Sequence, residues 1–287
     1  MNAAVLQSED QAVAKVMSRV GDLAALPHVI FKVLEISAES ADTAGMEMEK
    51  AIVIDPGFSS RILIHANSAA YGLPRKLVSI KEAIAFLGYR AIRNAAMTVG
   101  VFDLFIGKND KASLRRRTWW RNSLDTAVCA RWLAKELGAG FPEEAYTCGL
   151  LHLLGRTLLD KLGTPDYAEV EALLDGGMEL LQAEECIFGV DSVALASGAV
   201  LRWGLPEELA VGLRYLGPPE NGEVPPLCAV TALADYIASC AIDGREANLD
   251  DGKLPGWALE ALSISAEKMD ALVTGGLAVI ASSSRND

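Results

Sequence analysis

Histidine is scarce in this chain: 287 residues contain three, His28, His65 and His152. They stand far apart and in no ligand spacing, so they give no support to a zinc site. Cysteine helps no further. Cys129, Cys148, Cys186, Cys228 and Cys240 are odd in number and form no C-x-x-C pair, and four of them fall inside apolar helical patterns, so the thiols are expected reduced and buried in a cytoplasmic protein. Positive charge is short as well. With 38 acidic against 26 basic residues the formal net charge is -12, which disfavours a non-specific phosphate-binding surface and repels nucleic acid and anionic membrane. No window reaches the roughly 18 uninterrupted apolar residues of a membrane span, and the segment Met1 to Asp10 lacks a basic n-region, so no membrane association is expected. Nucleotide loops are missing too: Asp175-Gly176-Gly177 and Thr274-Gly275-Gly276 lack the Gly-x-x-x-x-Gly-Lys spacing. Ser59, Ser60 and Ser68 sit in no nucleophile-elbow pattern.

What is present is apolar periodicity of the helical kind. At 51% hydrophobic the chain can bury a large core, and it shows no alternating strand run of useful length. Asp55-Pro56 supplies an N-cap and a first-turn proline, after which Phe58, Ile62 and Ala66 share a face; Asn67 and Ser68 end that helix. Ser79 with Glu82 is a capping-box pattern, and Gly88 suits a helix stop. Longer patterns run from about Ser113 to Leu137, Glu143 to Leu154, Pro165 to Leu174, Asp191 to Trp203, Pro206 to Leu216 and Pro226 to Ala241. The fold class is therefore all-α. Polar breaks at Gly107 to Ala112 and Asp243 to Pro255 divide it into a helical half over about 16–106, a second half over about 113–241, and a helical extension over 242–287.

Three strings, Asp55-Pro56-Gly57-Phe58, Arg61 to Ser68 (RILIHANS) and Ser79 to Gly88 (SIKEAIAFLG), occur in an order and spacing that closely resembles the central signature of HDOD domains, the HD-related output domains of bacteria. Trp120-Arg121-Asn122-Ser123, Gly149-Leu150-Leu151-His152 and Trp203-Gly204-Leu205-Pro206 are similar to that family's later landmarks, so the resemblance runs from about Val16 to Ala241. It implies a compact all-helical module of signal transduction, related to HD phosphohydrolases but generally without their metal-binding set.

Position by position, the resemblance implies that the ligands have been lost. Asn122 stands where active relatives carry a first histidine, and His152 is followed by Leu153 where they have His-Asp. Ser192 and the pair Arg214-Tyr215 stand at later histidine positions, and Asp235 matches a final metal-binding aspartate. Two donors, His152 and Asp235, fall below the three protein ligands of even an open catalytic site. Asn122, His152, Leu153, Ser192, Arg214, Tyr215 and Asp235 are then candidates for a relic pocket, with Arg214 its local positive group. Asp55, Pro56, Asn67 and Ser68 read as helix-end residues of the scaffold.

Arg115-Arg116-Arg117 before Trp119-Trp120 is the one basic, aromatic stretch, and it reads as a solvated helix start, since consecutive residues point around a helix. The expected function is a non-catalytic regulatory module that needs no cofactor and acts on a signalling protein partner, with room for a small regulatory ligand in the relic pocket. The alternatives are a residual metal-dependent phosphohydrolase acting on a nucleotide and a nucleic-acid-associated regulator. Cyclic dinucleotides are disfavoured by the acidic balance.

Overall fold

The computed structural model describes residues 3–21, 27–36, 41–68, 71–106, 114–217, 223–244 and 254–284. Among the described residues there is no strand. The helices are α1 (Ala3–Val20), α2 (His28–Glu35), α3 (Ala41–Val53), α4 (Pro56–Ala66), α5 (Ile80–Leu87), α6 (Tyr89–Ile106), α7 (Leu114–Glu136), α8 (Pro142–Leu151), α9 (Leu154–Lys161), α10 (Ala168–Asp175), α11 (Leu180–Phe188), α12 (Ser192–Arg202), α13 (Glu207–Gly212), α14 (Pro226–Asp243), α15 (Gly256–Ala261) and α16 (Ala266–Ser284).

Local chemistry sets the ends of the early helices. The Asp55 carboxylate accepts the Phe58 N–H at 2.9 Å, and Pro56 occupies the first turn, where no N–H is needed. At the far end of α4 the Asn67 amide donates to the carbonyls of Leu63 and Leu77 and accepts the Leu77 N–H at 2.7 Å, so one side chain ties the helix end to the segment entering α5. Ser79 Oγ accepts the Glu82 N–H at 3.1 Å, while Glu82 reaches back to the Val78 N–H at 2.8 Å, one residue earlier than in the usual reciprocal box. Gly88, at φ 83°, then ends α5.

One continuous apolar cluster extends from Val13 to Ile280, so the N-terminal and second halves share a core. At its centre α7 packs against α6, α8, α14 and α16. Gly149 permits the closest of these contacts, since a Cβ there would lie 2.7 Å from the Ala127 Cα. Gly155 does the same for α9, where a Cβ would fall 1.8 Å from the Ser192 carbonyl oxygen at the start of α12. Among the described residues α14 is long and apolar enough to cross a membrane, but the fold packs it against α7, α8 and α16.

Several sequence expectations need correction. The single pattern from Glu143 to Leu154 is two helices, with His152 and Leu153 in the turn between them. In that turn the His152 ring is held between the Gly149 carbonyl, 2.7 Å from Nδ1, and Asp235 of the distant α14, 3.1 Å from Nε2, a contact that local periodicity does not register. Helices α9 and α11 had no separate sequence signal. The arginine run is no solvated helix start: Arg115 bonds Asp160 at 2.6 Å and Glu171 at 2.7 Å, Arg116 is buried 3.2 Å from Asp160, and only Arg117 of the three is exposed. Cys186 is exposed, unlike the other four cysteines. The break at Gly107 to Ala112 and most of that at Asp243 to Pro255 lie outside the described residues.

Asp55→Ala is expected to lower the free energy of unfolding in urea by about 1 kcal/mol, the usual cost of a lost N-cap. Gly155→Ala is expected to cost about 3 kcal/mol, because a methyl group there must displace backbone. A Gly155→Ala protein as stable as the parent would refute the close approach of α9 and α12.

Candidate functional site

The chemistry-bearing residues of the second half meet where α7, α8 and α14 come together. Because Gly149 lets α8 lie on α7, the turn after α8 places the His152 side chain fully inside the protein, with Nδ1 against the Gly149 carbonyl and Nε2 3.1 Å from Asp235 Oδ1 on α14. Both neighbours are acceptors. The imidazole thus links the Gly149 carbonyl to the Asp235 carboxylate. Asn122 on α7 donates to Ser239 Oγ at 3.2 Å, accepts from Thr126 Oγ1 at 2.9 Å, and contributes a hydrogen bond to Asp235. The Tyr215 ring stands edge-on to His152 at 5.2 Å between centroids.

Charge at this place is matched from within. Burial works against the Asp235 carboxylate, but attraction and a hydrogen bond from His152, aided by Arg156 and Asn122, outweigh it and hold its carboxyl below the ordinary range. Burial also works against the charge of Arg156, yet Tyr215, Tyr167, Glu184 and Asp235 facing it raise its pKa. Glu184, fully buried, accepts from Tyr167 Oη at 2.5 Å and from the Ser192 N–H at 2.8 Å, and stands 3.9 Å from Arg156 Nε. Burial, followed by Asp235, pushes the Tyr215 phenol up, so it remains a neutral hydroxyl. Asp235 thus faces His152, and Glu184 faces Arg156 and Tyr167.

A catalytic metal of the HD kind does not fit these residues. Leu153 offers no lone pair and is buried, and the Asn122 amide is engaged with Ser239 and Thr126. His152 and Asp235 are bonded to each other. Among the described residues no group of three His, Cys, Asp or Glu side chains could hold a metal ion.

Of the residues marked by the sequence, the fold brings Asn122, His152, Tyr215 and Asp235 together, with Leu153 adjoining in the core. Ser192 serves α12 through its backbone N–H, bonded to Glu184. Arg214 is elsewhere: its guanidinium pairs with Glu9 of α1, close to Asp191, so it is not the positive group of this place. That group is Arg156. It stands four residues after His152, a spacing that was legible in sequence; Glu184 carried no such signal, because its partners come from α9, α12 and the Tyr167 turn. His152 and Asp235 line neither of two cavities, of about 330 and 810 Å3, found elsewhere in the molecule.

Known proteins share this helical fold. A family model described as HDOD domain matches residues 23–217. An uncharacterised protein of Treponema pallidum (strain Nichols) is 27% identical over 236 residues, covering 77% of this chain and 43% of that protein, so the chain spans less than half the length of this relative. The crystal structure of an HDOD domain protein of unknown function from Geobacter sulfurreducens superposes with a TM-score of 0.73 at 23% identity, covering 96% of this chain and 98% of that one. A Shewanella amazonensis SB2B protein, named as a candidate phosphohydrolase, gives a TM-score of 0.68 at 25% identity over 94% of this chain and 98% of its own.

The Asp235 contact predicts an acid-side signature. Its carboxyl is held below the ordinary 3.8, so the pairing adds stability that is fully present above that value and lost as pH falls through the lowered one. Urea denaturation of the parent and Asp235→Asn, run from about pH 5 to pH 2, is expected to show a stability gap that narrows with acid. A gap of constant size would place Asp235 outside the ion pair.

Proposed function

Because the chain belongs to the HDOD domain family, we propose that it is a non-catalytic bacterial regulatory module that works in the cytoplasm through contacts with a signalling protein. The observation that carries this reading is the matched cluster: His152 answers Asp235, and Arg156 with Tyr167 answers Glu184. A divalent cation would have to displace the arginine and break the His152–Asp235 bond to find two ligands, so the place serves as a strut of the fold. Contact through the surface is supported by apolar side chains left outside. Met46, Val53, Ile54, Ile64, Val78 and Phe86, all large and exposed, belong to α3, α4, α5 and the segments joining them, the same region that carries the family signature. Single exposed apolar residues are ordinary, but this many on one group of packed helices suits a protein interface.

Residual phosphohydrolase activity is the second reading, favoured by the name of the Shewanella relative and by the surviving His152 and Asp235. Nucleic-acid binding has less support, since Arg115 and Arg116 are spent on Asp160 and Glu171. Cyclic dinucleotides remain a poor match to the His152 cluster, because Arg214, expected as its local positive group, is paired with Glu9 elsewhere.

Purified protein supplied with excess Mn, Fe or Zn and then desalted is expected to retain no stoichiometric metal and to leave bis-p-nitrophenyl phosphate intact. One metal per chain, lost together with hydrolysis in His152→Ala, would establish the hydrolase reading instead. Replacing Ile64 and Phe86 together by glutamate is expected to lower recovery of a co-purifying signalling protein about tenfold, the effect of losing one good contact, with no change in melting temperature. Undiminished recovery would move the interface off α4 and α5.

A further inference from the structure

The cavity of about 330 Å3 lies away from the His152 cluster, where α4 and α6 of the first half meet α7 and α8 of the second and the end of α16 closes one side. Its walls are aromatic. Phe102 and Trp120 meet edge-to-face with centroids 5.2 Å apart, and Tyr71, Tyr146 and His65 also line it.

Charge here is reversed relative to the chain. In a protein of net charge -12, three guanidinium groups, Arg61, Arg121 and Arg131, line this cavity against one carboxylate, Asp125. Arg61 is paired with Asp103 at 3.0 Å and Arg121 with Asp125 at 2.9 Å. Arg131 has no carboxylate partner among the described residues; its guanidinium lies over the Tyr146 ring, 5.1 Å from the centroid. Glu143, the further carboxylate felt by Tyr71 and Tyr146, is bonded by the Asn94 amide. The Ser68 hydroxyl, which also faces this cavity, is shielded from solvent and has no hydrogen-bond partner among the described residues. The Tyr146 hydroxyl is already taken by Thr98 at 2.8 Å.

A buried hydroxyl without a partner among the described residues is costly unless something supplies one, and beside it the half-buried Arg131 guanidinium offers donors to the same cavity. Arginine stacked on an aromatic face keeps its planar fork of donors free for a carboxylate, sulfonate or phosphate oxygen pair. The volume is at the small end of ligand sites, enough for one ring system and one anionic group. We propose that this cavity binds a small aromatic monoanion, its acid group held by Arg131 and the Ser68 hydroxyl and its ring against Phe102 and Trp120. Such a ligand would bridge the two halves of the domain, and the site stands whether or not the protein-contact reading holds.

The test is calorimetric titration of the full chain at physiological salt with three probes: naphthalene-2-sulfonate, its neutral counterpart naphthalen-2-ylmethanol, and inorganic sulfate. Saturable 1:1 binding is expected for the aromatic sulfonate, with the neutral compound and sulfate each at least about tenfold weaker. Arg131→Gln is expected to weaken the sulfonate by about tenfold or more, Arg131→Lys by less, and Val128→Trp, which fills the cavity, to abolish binding. Melting curves of the unliganded variants identify any that fail to fold; should Arg131→Gln be one, Arg131→Lys and Ser68→Ala carry the comparison. The proposal is overturned if the sulfonate shows no saturable site, if the neutral compound binds as well, or if folded cavity variants bind like the parent.

Discussion

A Cβ at position 149 would sit 2.7 Å from the Ala127 Cα, so α8 lies on α7 at backbone contact only because residue 149 is glycine. That approach fixes where the chain turns after α8, and the turn is where His152 sits. From there the imidazole spans from the Gly149 carbonyl on α8 to Asp235 on α14, joining two helices through one ring. A second contact of the same kind, Gly155 against the Ser192 carbonyl, brings in α9 and the start of α12, and with them Arg156 and the backbone N–H that Glu184 accepts. The buried polar cluster follows from two places where side-chain volume is absent.

Electrostatics in this protein is mostly internal accounting of sign. Exposed ion pairs contribute little, about 0–1 kcal/mol, whereas removing one member of a buried pair leaves a stranded charge and costs several times more. Basic side chains are accordingly used where burial makes them matter: Arg115 and Arg116 on Asp160, Arg156 near Glu184, His152 on Asp235. In the buried cluster Asp235 faces His152, and Glu184 faces Arg156 and Tyr167. The same accounting makes Arg131 conspicuous, since among the described residues it lies over a tyrosine ring with no carboxylate partner.

Much of the scaffold was legible from short-range chemistry. Asp55-Pro56, Ser79 with Glu82, and Gly88 each act on atoms within four residues, so the string of letters and the hydrogen bonds of α4 and α5 correspond almost one to one. The long apolar pattern of α14 needed only a partner to pack on. Family resemblance marked Asn122, His152, Tyr215 and Asp235, and these four do gather in the structure, while Arg214, marked by the same alignment, pairs with Glu9 instead.

The sequence by itself determined the helical class, the cap positions and the missing aspartate after His152, because each depends on residue identity and near-neighbour spacing. Tertiary structure decided the rest. Whether Arg116 is solvated or buried, whether the helix after Glu143 continues or breaks at His152, and which cation answers Glu184 all turn on contacts between segments tens of residues apart, which periodicity cannot rank. The cavity around Arg131 is the extreme case: its lining comes from four helices and the end of a fifth, and what distinguishes the arginine is that among the described residues it meets a tyrosine ring and no carboxylate, which only the packing of distant segments decides.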